Sequence, residues 1–128
     1  MVIGGYTEPA GSRKYLGAIL VGYYQKQDLR FAGKVGTGFD QALLESLHSQ
    51  FRVLDREDCP FVNLPEKNGR SGQGITAKAM KRCHWVEPKL VCQIKFSEWT
   101  RDGKLRHPVF LGLREDKEAK EVVRERAA

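Results

Sequence analysis

Cysteine is scarce in this sequence. Cys59, Cys83 and Cys92 are an odd number, and no C-x-x-C pair occurs. Cys83-His84 has no second half at zinc-finger spacing, so neither a zinc ribbon nor a disulfide scaffold is expected, only free thiols and no metal site. Long apolar runs are missing too. The longest, Leu16 to Tyr24, falls far short of the roughly 20 residues of a membrane-spanning helix. Met1-Val2-Ile3-Gly4-Gly5 lacks the charged and apolar regions of a secretion signal, so no membrane partner is predicted. Signatures of a self-contained active site are also lacking: there is no nucleophile elbow and no Walker loop. Gly33-Lys34-Val35-Gly36-Thr37-Gly38 has the glycines of a phosphate cradle, but no Ser or Thr follows its Gly-Lys. It reads instead as a strand end turning into a helix. What is present in quantity is charge: 22 Lys and Arg against 16 Asp and Glu leave +6 over 128 residues. With 41% hydrophobic and 30% charged residues, this is the composition of one globular domain with a single core. The basic balance suits a polyanionic partner such as nucleic acid without requiring one.

Val2 to Thr7 forms a short apolar run ending in the turn cluster Glu8-Pro9-Ala10-Gly11-Ser12. Leu16 to Tyr24 is continuously apolar, as in a strand buried on both faces. Leu29 to Val35 alternates, as in a strand with one wet face. From Asp40, Leu43, Leu44, Leu47, Phe51 and Leu54 recur every three or four residues, which predicts a helix with Asp40 as its N-cap. His48 falls off that stripe and is read as solvated. Residues 56–83 are irregular, broken by prolines and glycines, with a short helix at most over Thr76 to Arg82. Glu66 to Arg82 holds five cations (Lys67, Arg70, Lys78, Lys81, Arg82) against one acid. This stretch reads either as a mobile basic loop facing a phosphate backbone or as a plain solvated insertion.

Leu90, Cys92, Ile94 and Phe96 alternate with polar residues as far as Trp99, a fourth strand. Arg101-Asp102-Gly103-Lys104 reads as a hairpin turn whose Asp-Gly supplies positive φ angles. Leu105 to Leu113 reads as the last strand, with Pro108 confined to an edge or bulge. A short charged C-terminal helix follows, with Lys117 and Glu121 spaced to pair. Trp85 and Trp99 read as core or rim packing. The order of three strands, a helix and two strands predicts an all-β OB-fold, a five-stranded Greek-key barrel with its helix between the third and fourth strands. On pattern alone, an SH3-like barrel and an α+β sandwich remain open.

Arg114-Glu115-Asp116-Lys117 places two cations three residues apart around an acid at a strand end. Arg presents a planar fork and Lys a point charge, a pairing that suits a triphosphate tail, with Asp116 orienting one of them. A solvated charge run opening the C-terminal helix would look the same.

Four segments taken together carry more. Gly11-Ser12-Arg13 with Leu16 to Tyr24, then Gly33-Lys34-Val35-Gly36-Thr37-Gly38-Phe39, then Trp99-Thr100-Arg101-Asp102-Gly103, then Leu105 to Phe110 running into Arg114-Glu115-Asp116-Lys117 resemble the C-terminal OB-fold domain of ATP-dependent DNA ligases. The likeness is to the bacterial ligase D type, which serves non-homologous end joining, and it covers nearly the whole chain apart from residues 56–82.

The resemblance implies that Arg114, Asp116 and Lys117 match the last signature motif, which orients the pyrophosphate leaving group while a lysine of the nucleotidyltransferase domain is adenylated. It implies DNA contacts at Arg13, Lys34, Thr37, Arg106 and His107. Some relatives carry Phe where His107 stands, so a wedging role in the minor groove does not carry over. It further implies ATP and Mg2+ in the full enzyme, held mainly by the nucleotidyltransferase domain, with no cofactor in this chain alone. The implied partners are nicked duplex DNA, that same domain and end-joining repair proteins, for a monomer in the bacterial cytoplasm at the nucleoid. No Lys-x-Asp-Gly nucleophile occurs, so the chain alone is expected to be inactive, as an isolated domain would be. The rival reading is a stand-alone OB module that binds nucleic acid without catalysis.

Overall fold

The computed structural model describes residues 1–9, 11, 14–65 and 75–124. Three antiparallel strands open the fold: β1 (Val2–Thr7), β2 (Ile19–Gln25) and β3 (Asp28–Val35), with β2 in the middle. β2 is buried from Ile19 to Tyr23, as its unbroken apolarity requires. It begins three residues later than the apolar run. Leu16 is fully buried, but Gly17 lies so close to Glu8 that a Cβ would stand 2.7 Å from the Glu8 carbonyl oxygen. That contact carries the chain past the Thr7 end of β1 before pairing starts.

The helix follows its predicted period. α1 (Gln41–Val53) starts at Asp40, whose Oδ1 accepts from the Leu43 N–H at 2.7 Å, and it buries Leu44, Leu47 and Phe51. His48 departs from its reading as solvated. It is half-buried, with its ring 5.9 Å from Tyr6 and 5.7 Å from Tyr15. Tyr6 itself stacks between Phe51 and His84. The helix thus meets the barrel through an aromatic seam beside its leucine stripe.

Between Arg56 and Cys83 the described residues form only the short helix expected there. β4 (Asp55–Arg56) leads in, α2 (Ala77–Met80) is capped by Thr76, and β5 (Cys83–Val86) pairs with both β1 and β4. Lys67 and Arg70 of the basic stretch lie outside the described residues. β5 is a strand the sequence pattern did not reveal. β6 (Val91–Lys95) continues in its direction along β1, and residues 87–90 bulge between them.

Each of the two long C-terminal strands is broken. A two-stranded hairpin, β7 (Glu98–Trp99) and β8 (Leu105–Arg106), projects ahead of β9 (Val109–Arg114), which pairs with β6. The second break falls at His107, at φ +54°, and at Pro108, which has no N–H for a ladder. In the hairpin turn only Gly103 has positive φ, contrary to the Asp-Gly expectation. Asp102 instead accepts a hydrogen bond from the Thr100 hydroxyl.

The ring closes where the Phe110 N–H donates to the Thr37 carbonyl at 3.0 Å. Gly38, at φ +97°, permits this approach, since a Cβ there would lie 2.2 Å from the Phe110 carbonyl oxygen. β1, β2, β3, β9 and the β5–β6 strand enclose a core containing Ile3, Leu20, Phe31 and Phe110, with α1 between the third and fourth strands of the ring: the OB-fold. Trp85 is buried, and Trp99 packs edge-on against Tyr23 and Phe96, in keeping with packing roles.

Beyond β9 the described residues make a single 3-10 turn, Ala119–Glu121, where a short charged helix was expected. Glu121 does not pair with Lys117 as that helix would require; its carboxylate accepts from the Glu118 N–H at 3.2 Å. The reason lies one residue on. Val122 is fully buried and its carbonyl accepts from the Tyr24 N–H at 2.8 Å, which pulls the chain onto the barrel. Among the described residues no helix is long and apolar enough to cross a membrane.

Candidate functional site

Arg114 ends β9 opposite Val91 and is thereby fixed by the sheet. Its Nε donates to Asp116 Oδ1 at 3.2 Å and its Nη2 to Oδ2 at 2.9 Å, a bidentate pair. The two side chains are 33% and 69% exposed, so the pair stands at the surface and is not locked into the core. The Arg114 hydrogen bonds, helped by the charges of Arg114 and Lys117, hold the Asp116 carboxyl below its ordinary pKa of 3.8. Lys117 lies past the pair and turns into a groove beside Tyr24, Lys89 and Lys120. An oriented guanidinium and an ammonium on either side of one carboxylate can grip neighbouring phosphate oxygens.

The residues predicted to meet DNA divide into groups. Thr37, Arg106 and His107 come together: the Thr37 hydroxyl donates to the Pro108 carbonyl at 3.4 Å, next to His107. Arg106 is exposed, with its Nε 3.0 Å from Glu98 Oε1, and His107 Nδ1 lies 3.1 Å from the Ser97 hydroxyl. Lys34 lies apart, in a groove with Thr7, Glu8, Ile75, Arg82 and Cys83. Burial pushes the Cys83 thiol up to about 11, so it remains protonated and unreactive beside Lys34. Arg13 falls outside the described residues. Pro108 precedes β9 and Arg114 ends it, five residue steps beyond Val109, so the two clusters stand about 17 Å apart along the strand.

Sequence reasoning missed Lys26, Lys89 and Lys120, which gather with Lys117 around Tyr24. They come from separate segments and no linear pattern unites them. Among the described residues no group of three or more His, Cys, Asp or Glu is placed to hold a metal ion.

Comparison with known proteins agrees with this fold. Residues 12–117 match the family model described as the ATP dependent DNA ligase C terminal region. The multifunctional non-homologous end joining protein LigD of Pseudomonas aeruginosa is 40% identical over 130 residues, covering 99% of this chain and 14% of that protein. LigD of Mycobacterium tuberculosis is 39% identical over 127 residues, covering 98% of this chain and 15% of its own length. The crystal structure of the ligase domain of M. tuberculosis LigD superposes with a TM-score of 0.81 at 38% identity, over 97% of this chain and 37% of that one. A mycobacterial DNA ligase D complexed with ATP and MES gives 0.77 at 37% identity, over 97% and 36%. The chain therefore spans about a seventh of the curated relatives it matches.

Proposed function

This chain belongs to the family of ATP-dependent DNA ligase C-terminal regions, and from that premise we propose that its two basic clusters serve two different steps. Arg114, Asp116 and Lys117 act on the triphosphate of ATP while a lysine of the nucleotidyltransferase domain is adenylated. In that step the lysine nitrogen bonds to the α-phosphorus, the bond between it and the β-phosphate oxygen breaks, and pyrophosphate leaves. The leaving group gains charge, and fixed cations that meet it lower the barrier by electrostatics and positioning. Thr37, Arg106 and His107, with Lys34 and Arg13, contact the backbone of nicked duplex DNA without reading sequence. The whole serves end joining, as the names of the LigD relatives suggest. Mg2+ would be held mainly by the nucleotidyltransferase domain, and this chain's part would be to present cations.

One observation carries the reading: the surface guanidinium of Arg114, held in a fixed plane by Asp116 with Lys117 beside it. Among the described residues no Phe, Tyr or Trp side chain is fully exposed, as the base-stacking platform of a single-strand binder would be. The exposed large hydrophobics described are Val53, Val62, Leu111 and Val123, none of them aromatic. Labelled ATP tests the assignment in the full-length enzyme. Arg114→Ala and Lys117→Ala should each lower lysine adenylation by about tenfold to a hundredfold. Unchanged adenylation in both variants would remove these residues from the step.

A further inference from the structure

The groove beside Lys117 holds more positive charge than the Arg114–Lys117 element alone explains. Lys26 is presented by the β2–β3 turn, at φ +58°. Lys89 comes from the bulge between β5 and β6, and Lys120 from the 3-10 turn after β9. With Lys117 they line two adjoining hollows that share Tyr24 and Lys120. The walls are held in place: the Tyr24 N–H bonds to Val122, and the Lys89 N–H donates to the Glu87 carbonyl at 2.8 Å. Two carboxylates line the same hollows. Glu87 is engaged by Arg56 at 3.5 Å, and Glu118 is exposed. Among the described residues none of the four lysines makes an ion pair. Burial raises the pKa of the Tyr24 phenol, which leaves it a hydrogen-bond donor at neutral pH.

Lys89, Lys117 and Lys120 line one hollow against Glu118 and the Arg56-paired Glu87, and Lys26 and Lys120 line the next, so the two together keep a net positive charge that an anion would offset. A concave site gathered from three segments fits a compact anion with several phosphates, whereas a duplex backbone follows a long open track. We propose that the Tyr24 groove is a binding site for a linear polyphosphate, either a nucleotide's triphosphate tail or free pyrophosphate. Lys26, Lys89 and Lys120 extend the grip of Lys117 there. The identity of the nucleotide rests on the reading above; the anion site does not.

Inorganic pyrophosphate titrated into this chain, with the lysine side chains followed by NMR, is the test. Resonances of Lys26, Lys89, Lys117 and Lys120 should move together, and inorganic phosphate should bind more weakly. Lys26→Ala combined with Lys120→Ala should weaken pyrophosphate binding about tenfold or more, while Lys95→Ala, exposed on β6, leaves it unchanged. A parallel loss of ATP affinity would identify the triphosphate tail as occupant, and a loss for pyrophosphate alone would identify the leaving group. Pyrophosphate affinity untouched by the double change would overturn the proposal. So would a double variant that loses only nicked-duplex binding, which would make the groove a DNA surface. Both results are independent of the Arg114 adenylation assay, which judges the underlying reading separately.

Discussion

The smallest unit of the account is the Arg114–Asp116 pair. Both groups are partly solvated, so the pair adds little to folding, and its value lies in orientation. Its pH behaviour follows from the Arg114 hydrogen bonds that depress the Asp116 carboxyl. A depressed folded-state pKa means that the contribution is complete above the ordinary carboxylate value of 3.8. It is lost only as pH falls through the lower, folded value. At neutral pH the pair is therefore intact. Followed by carbon NMR, the Asp116 carboxyl should titrate below its ordinary value in the natural chain and move back toward it in Arg114→Ala. A midpoint that ignores the substitution would show that the guanidinium does not hold this carboxylate. This trio was legible in the sequence because its members lie within four residues. Lys26, Lys89 and Lys120 were not, because they meet only after the barrel closes around Tyr24.

At the scale of elements, the closure of β3 onto β9 is the junction on which the Thr37, Arg106 and His107 cluster depends. It passes through Gly38, where positive φ and the nearness of Phe110 both exclude a side chain. Gly38→Ala should destabilise the fold by about 2–4 kcal/mol, read as a lower denaturant midpoint at unchanged slope. A shift under half a kilocalorie would mean that the closure bends freely. The tail beyond β9 makes a second junction. Val122→Ala empties a fully buried site and should cost about 1–3 kcal/mol in the same measurement.

Legibility differed among the elements for physical reasons. α1 announced itself because a one-sided helix must repeat its apolar residues at its own turn length, and Asp40 marked its start. β1 to β3 were recoverable from apolarity and short polar turns. β5 has only four residues, Cys83 to Val86, and its burial does not alternate; its strand character comes from β1 and β4 on either side. The chain after Arg114 favours a helix locally, yet burying Val122 outweighs that preference after a single turn.

The molecule as a whole is a small barrel with cationic groups at separate places, joined by β9. Placing the clusters near opposite ends of β9, about 17 Å apart, would let a rigid domain present either to a partner by turning as a unit. For the group proposed to contact DNA, Arg106→Ala should weaken nicked-duplex binding by a similar factor on every sequence and lower the salt slope by about one. A sequence-dependent effect would argue for base contact instead.

The division of labour between clusters is the central claim, and one paired measurement on the full-length enzyme tests it most directly. Lysine adenylation and nicked-duplex affinity are measured side by side for Arg114→Ala with Lys117→Ala, and for Thr37→Ala with Arg106→Ala. The account predicts that the first pair loses adenylation and keeps most of its DNA affinity, while the second does the reverse. Equal losses of both activities in both pairs would contradict it.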